Sequence, residues 1–191
     1  MDQESRYIRQ IVGGDTVLFA WFVTIYKNAV FSIAFRMLEN EQDAEEAVQD
    51  AFLQAFKALR SFRGDAKFST WLYRIVVNIA LARLKKMKNR GHYAEIEEAE
   101  ELFEVIETGY RGLTAADQTK FINLALGRLS PEDRLLMALY YLEEQTLPEI
   151  EVITGISREN LKMRLHRARK KMYGVLSAML NTELNTIRND E

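Results

Sequence analysis

The stretch from Thr146 to Tyr173, TLPEIEVITGISRENLKMRLHRARKKMY, leaves this chain few choices of fold. Thr146 and Glu149 have the T-x-x-E spacing of a capping box, in which two side chains satisfy two orphan N–H groups reciprocally. Pro148 falls early in the first turn, where its missing N–H is harmless. Ile150, Val152 and Ile153 supply a short apolar face. Gly155 can adopt the positive φ of a tight interhelical turn, and Ser157 is a good N-cap for a second helix. On that helix Leu161, Leu165, Ala168 and Met172 recur as a stripe. Its other faces carry Arg158, Lys162, Arg164, Arg167, Arg169, Lys170 and Lys171 against one acid, Glu159. A capped short helix, a glycine turn and a capped basic helix make a helix-turn-helix, with a footprint that phosphates attract.

The rest of the chain reads as helix too. Two prolines and nine glycines in 191 residues, among many Leu, Ala, Glu, Lys and Arg, predict an all-α protein. That length suits one ordinary domain or two small ones. The absence of cysteine excludes disulfides and thiolate metal sites. We expect no apolar run long enough to span a membrane, and MDQESRYIRQ lacks the order of a signal peptide. A net charge of −2 is unusual for a DNA-binding protein, but the charge is unevenly placed. Arg83, Lys85, Lys86, Lys88 and Arg90 cluster without an acid, and Glu95, Glu97, Glu98, Glu100, Glu101, Glu104 and Glu107 follow. Screening within about 10 Å lets one face bind an anion while the total is negative.

Taken in order, about Gln3 to Val12 reads as a short helix ended by Gly13-Gly14, with Asp15 as the next N-cap. From Thr16 to Leu38 a period near 3.6 runs through Leu18, Phe22, Ile25, Ala29, Ile33 and Met37, thickened by Phe19, Trp21, Tyr26 and Phe31. Asp43, with Glu46 at N3, predicts the next helix start. Ala44, Ala47, Val48, Ala51, Phe52, Ala55, Phe56 and Leu59 make its stripe. Its far side carries Glu45, Glu46, Gln49, Asp50, Leu53 and Gln54, where Leu53 is a lone apolar residue among polar ones.

SFRGDAKFST, residues 61–70, is a loop with Gly64-Asp65 as turn chemistry. Ser69 or Thr70 is expected to cap a helix from Trp71 to about Lys88, with Leu72, Ile75, Val76, Ile79 and Ala82 inward and Arg74, Asn78, Arg83, Lys85 and Lys86 polar. Aromatic and basic groups leading into a basic helix suit single-stranded nucleic acid, whose bases stack and whose backbone follows cations. Equally, Phe62, Phe68 and Trp71 could simply close the core. The periodicity then fails, and an acidic linker with one short helix around Glu95–Ile106 is expected. A second helical domain begins with Phe121, Leu124, Ala125, Leu126 and Leu129, and Ser130-Pro131-Glu132-Asp133 marks a helix start. Leu135, Leu136, Leu139, Tyr140 and Leu142 form that helix's face, and fraying is expected from Asn181.

Two separated segments now resemble one family, the extracytoplasmic-function (ECF) group of bacterial RNA polymerase sigma factors. DAEEAVQDAFLQAF (43–56) is similar to their core-polymerase-binding helix. SFRGDAKFSTWLYRIVVN (61–78) looks like the segment that melts and reads the minus-ten promoter element. Residues 129–172, with LSPEDR, a helix-turn-helix and LHRARKKM in order, look like their second conserved domain. The resemblance implies two small helical domains, 1–90 and 118–180, an acidic linker at 91–117 and a frayed tail at 181–191. It implies that Asp43, Glu45, Glu46, Gln49, Asp50 and Leu53 dock on the clamp helices of the polymerase largest subunit. The second domain would meet the polymerase flap.

It further implies that Phe62, Arg63, Lys67, Phe68, Ser69, Thr70, Trp71, Arg74 and Asn78 serve the minus-ten strand, the 62–70 loop receiving a flipped base. Lys162, Met163, His166 and Arg167 would point at minus-thirty-five bases or phosphates, with Arg158 and Arg164 nearer the backbone. Met163 replaces a commoner small polar residue, and LPEIEVITG a commoner SYEEIA-type helix. An anti-sigma partner is implied as well, and a bacterial cytoplasmic location without membrane insertion. No cofactor is implied.

Two other readings stand beside this one. A conventional regulator would use the helix-turn-helix alone and bind duplex DNA without polymerase, leaving FRGD…TWLYRI unexplained. An enzyme could be imagined from Asp43, Glu46 and Asp50 on one helix face as metal ligands. Neither His92 nor His166 follows a glutamate by three, and no phosphate loop or nucleophile elbow appears, so no metal and no catalytic residue are expected.

Overall fold

The computed structural model describes residues 3–88 and 114–189. The helices among them are α1 (Gln3–Val12), α2 (Phe19–Leu38), α3 (Glu41–Ala58), α4 (Phe68–Lys88), α5 (Ala115–Gly127), α6 (Pro131–Tyr141), α7 (Leu147–Thr154) and α8 (Arg158–Asn189). Short 3-10 turns occupy Thr16–Leu18 and Leu59–Ser61. The all-α class is as the composition implies, with no strand among the described residues. Two compact units emerge, one within Met1–Tyr93 and Ala138–Leu161, the other within Ala94–Met137 and Lys162–Glu191. The acidic stretch and its expected helix at 95–106 lie outside the described residues.

In the first unit α2, α3 and α4 pack pairwise. Ala44, Ala47, Ala51 and Ala55 of α3 are all 0% exposed, and this methyl-only face lets larger side chains interlock over it. Phe22, Val30, Ile33 and Met37 from α2 and Leu72, Val76 and Ala80 from α4 fill the space. Tyr7 meets Trp21 edge-on at 5.2 Å, and the Tyr26 hydroxyl bonds Glu4, so α1 is tied to α2.

Several boundaries and faces differ from the sequence reading. Asn40, not Asp43, caps α3, its side chain accepting the Asp43 N–H at 2.9 Å. Asp15 makes no side-chain capping bond. α4 begins at Phe68, so Ser69 and Thr70 lie in its first turn rather than before it. Ile25 is 53% exposed, and the buried face of α2 runs instead through Phe19, Phe22, Val30, Ile33 and Met37. α2 is apolar on nearly every side, so a period cannot choose its face. For the same reason Thr16–Leu38 is long and apolar enough to cross a membrane, which corrects the expectation that no such run exists. Phe19, Phe22, Val30, Ile33, Met37 and Leu38 go into the helical core, whereas Phe35 is 42% exposed.

α7 also belongs to the first unit and packs on α4, with Ile150 and Ile153 fully buried. Its capping box forms as read. The Thr146 N–H and hydroxyl donate to Glu149 Oε2 at 2.8 and 2.7 Å, and the Glu149 N–H returns to Thr146 Oγ1 at 3.5 Å. Gly155 closes the helix at φ 73, the left-handed conformation that needs glycine.

In the second unit Phe121 and Ala125 of α5 pack with Leu176 of α8, joined by Met172, Tyr173, Val175 and Met179. Ser130 accepts the Asp133 N–H at 3.2 Å, the expected cap of α6. Arg134 is buried, and its Nη2 donates to the Leu129 carbonyl at 3.1 Å. That closes carbonyls left free where α5 ends. α8 continues to Asn189, beyond the residue where fraying was expected.

Candidate nucleic-acid and polymerase interface

The far side of α3 is polar because its near side is committed to the core. Glu45, Glu46, Gln49, Asp50, Leu53 and Gln54 are exposed, and Asp43 is half-buried. Leu53 stands 57% exposed. It lines an open groove with Asp50, Gln54, Lys57 and Ala58 of α3 and Ile79 of α4. The acids divide into two groups. Arg83 of α4 reaches Asp50 at 2.7 Å, Glu46 at 3.1 Å and Asp43 at 3.9 Å. Desolvation works to lower its guanidinium pKa, but Asp50 and Glu46 together outweigh it and raise the pKa further. The three acids imagined as metal ligands therefore hold an arginine, and Glu45, Gln49 and Leu53 remain turned outward. A planar cation matches several carboxylates at once.

The second surface is the 62–67 loop with the start of α4. Its frame is aromatic. Phe68 sits 4.4 Å from Phe22, 5.5 Å from Tyr26, 5.8 Å from Phe62 and 5.6 Å from Trp71, ring centre to ring centre. Phe62 and Trp71 are 5.2 Å apart. Both are half-buried, so each keeps some surface free, whereas Phe68 is 2% exposed and Thr70 0%. These two were grouped with residues facing the strand. Their burial puts them in the core rather than on the surface. Gly64 turns the loop at φ 77, a conformation that only glycine adopts without strain. Arg63 and Lys67 are exposed beside the rings, and Arg74 and Asn78 are exposed one helical turn apart on α4.

Two contacts, one from the end of the loop and one from α4, have no signal in the sequence. Lys67 Nζ lies 2.8 Å from Glu149 Oε1. This bond, more than any other influence, lowers the Glu149 carboxyl to about 2, and it raises the Lys67 ammonium pKa in turn. Tyr73, off the expected stripe but only 5% exposed, donates its hydroxyl to Glu143 Oε2 at 3.3 Å. Burial pushes both the Tyr73 phenol and the Glu143 carboxyl up. No helical periodicity could reveal partners that lie 70 or more residues away in sequence.

The third surface is the first half of α8. Lys162, Met163, His166 and Arg167 are exposed, Met163 at 52%. The two arginines placed nearer the DNA backbone have acidic neighbours. Arg158 pairs with Glu151 at 3.0 Å. Arg164 donates through Nε and Nη2 to Asp133 Oδ1 at 3.1 and 2.8 Å. Arg164 is thereby anchored to the first turn of α6, a role its place in a basic run does not disclose.

A loop of half-buried rings and exposed cations, a helix with an acidic outer face and a helix-turn-helix suit a protein that meets both a nucleic acid and a protein partner. The matches to known families agree. Residues 22–90 match the Sigma-70 region 2 family and residues 122–172 match Sigma-70, region 4. The chain is 33% identical over 175 residues to the ECF RNA polymerase sigma factor SigW of Bacillus subtilis, covering 88% of this chain and 94% of SigW. It is 30% identical over 172 residues to the ECF RNA polymerase sigma-E factor of Escherichia coli, covering 85% and 88%. The fold matches CnrH, solved with the cytosolic domain of CnrY, at a TM-score of 0.64 and 24% identity, over 93% of this chain and 99% of that one. It matches RpoE of Bartonella quintana, solved with the anti-sigma factor NepR, at 0.61 and 21%, over 83% and 96%.

The chain belongs to the ECF sigma factors. It is an RNA polymerase-binding transcription initiation factor that directs core polymerase to promoter DNA, and the reading as a polymerase-independent regulator is not favoured.

Proposed function

We propose a division of labour among the three surfaces. The outward residues of α3 around Leu53 dock on the clamp helices of the polymerase largest subunit, and the second conserved segment meets the flap. Asp43, Glu46 and Asp50 support that face by fixing Arg83. Phe62, Arg63, Lys67, Ser69, Trp71, Arg74 and Asn78 receive and read the minus-ten strand, with Phe68 and Thr70 holding the loop from within. Lys162, Met163, His166 and Arg167 enter the major groove of the minus-thirty-five element. Residues 1–90 and 118–180 act as the two working domains.

The observation that carries this reading is the pairing of half-buried Phe62 and Trp71 with exposed Arg63, Arg74 and Asn78. Stacking at about 1–3 kcal/mol per base offsets the few kcal/mol of unstacking one base. The protein performs no chemistry of its own and needs no cofactor. It works in the bacterial cytoplasm, held in check by an anti-sigma factor of the kind solved with RpoE of Bartonella quintana.

The test is transcription by core polymerase with and without the chain, mapping starts across genomic DNA. New starts that share two upstream elements are expected. Leu53→Asp should weaken core binding with helicity unchanged, and an unaltered affinity rejects the docking face.

A further inference from the structure

α1 precedes both family matches, and Ile11 is its one buried residue. A helix this short is marginal in water by itself, so its contacts hold it. Those contacts lead to both ends of the 62–67 loop. At the start of the loop, α1 packs on the Leu59–Ser61 turn, whose next residue is Phe62. At its end, two routes run from α1 to Phe68. The Tyr26 hydroxyl donates to Glu4, and the Tyr26 ring lies 5.5 Å from that of Phe68. Tyr7 meets Trp21 at 5.2 Å, Trp21 meets Phe22 at 5.0 Å, and Phe22 meets Phe68 at 4.4 Å. Phe68 in turn supports Phe62 and Trp71.

We propose that α1 is a brace for strand capture. It pins both ends of the loop, and Glu4 and Tyr26 are positioning residues for the Phe62–Trp71 pair that receives a base. The brace narrows the conformations of the loop before a strand arrives, so less entropy is lost on binding. Linkage makes the effect mutual: a bound strand holds the loop, and through it α1. This rests on Phe62 and Trp71 serving the minus-ten strand.

The test titrates holoenzyme, assembled from core polymerase and the full chain, with a labelled nontemplate-strand oligonucleotide from a mapped promoter. Glu4→Ala and Tyr26→Phe should each weaken binding about two- to ten-fold, the span of one hydrogen bond. Tyr26→Phe leaves the ring beside Phe68, so it removes the tie and not the packing. Glu4→Gln keeps an oxygen that can accept from the Tyr26 hydroxyl, and it should bind as wild type does. Affinity for core polymerase should be unchanged in all three. Amide exchange in residues 3–12 should slow when the oligonucleotide binds, which a helix serving only the fold would not show.

If Glu4→Ala and Tyr26→Phe bind the strand as wild type does while Trp71→Ala binds worse, the brace fails and the strand reading stands. If Trp71→Ala and wild type bind equally, the strand reading fails and the brace with it. Equal losses of strand and core affinity in Glu4→Ala, or exchange in residues 3–12 that the oligonucleotide leaves unmoved, reduce α1 to a part of the fold and overturn the proposal.

Discussion

The loop-and-α4 surface and the exposed face of α8 would both touch DNA, yet they are built in opposite ways. The first grows out of the core. Phe68 is locked among Phe22, Tyr26, Phe62 and Trp71, and the loop stands on that cluster. The second is one side of a helix, where Lys162, Met163, His166 and Arg167 are exposed. The difference follows from what each must hold. A base pulled from a strand needs a pocket whose walls do not move, because looseness forfeits the stacking that offsets unpairing. A duplex groove supplies its own walls, and the helix need only present side chains at the right spacing.

The comparison can be broken most easily at Phe68. Phe68→Ala should lower unfolding free energy by about 3–5 kcal/mol, as for other large buried aromatics, and Met163→Ala should cost under about 0.5 kcal/mol. Chemical denaturation of both variants checks this, and similar losses would erase the distinction. Next comes Arg167→Ala, expected to weaken promoter recognition by about 1–3 kcal/mol if it contacts a base, without altering the melt. Arg164→Ala should do the reverse, loosening the fold through Asp133 first, so that binding and stability assays separate two arginines of one basic run.

Asn78→Ala should impair open-complex formation by about 0.5–1.5 kcal/mol, the worth of a hydrogen bond, and leave core binding alone. Equal loss of both would remove Asn78 from the strand-reading surface. Permanganate footprinting of the melted region, beside a core-binding titration, measures the two.

The smallest effect is acidic. Glu149 has a carboxyl pKa depressed from 4.5 to about 2, so its contribution to stability is present above 4.5 and disappears as pH falls toward 2. Glu143 is shifted the other way by burial. Its contribution is full below 4.5 and is lost as pH rises through its higher value. On acidification Glu143 therefore protonates first and Glu149 last. Glu149→Gln should flatten stability between 4.5 and about 2 in melts at stepped pH. An unchanged acid limb would deny the Lys67 contact its weight.

The helix-turn-helix was legible almost to the residue, because its signals are local. A cap, a proline and a glycine each act within one turn, and Thr146, Glu149 and Gly155 appear as read. The α3 stripe was nearly as legible, because only one face is apolar: Ala44, Ala47, Ala51, Phe52, Ala55 and Leu59 are buried, while Val48 is half-buried and Phe56 is 38% exposed. α2 was not. With apolar side chains nearly all round, which face turns inward depends on what α3 and α4 offer, and Ile25 is left in solvent. Charge was the other blind spot. Arg83, Lys67 and Arg164 all looked like cations awaiting phosphate, and each is held by a carboxylate far along the chain.

What the chain determined by itself is its helices, their caps, the polar side of α3 and the family to which it belongs. These follow from backbone preferences and side-chain periods that operate over a few residues. What only the tertiary structure decided is which cations remain open to a nucleic acid and which acids to a partner. An ion pair forms wherever packing brings opposite charges within reach, and distance along the chain does not limit that.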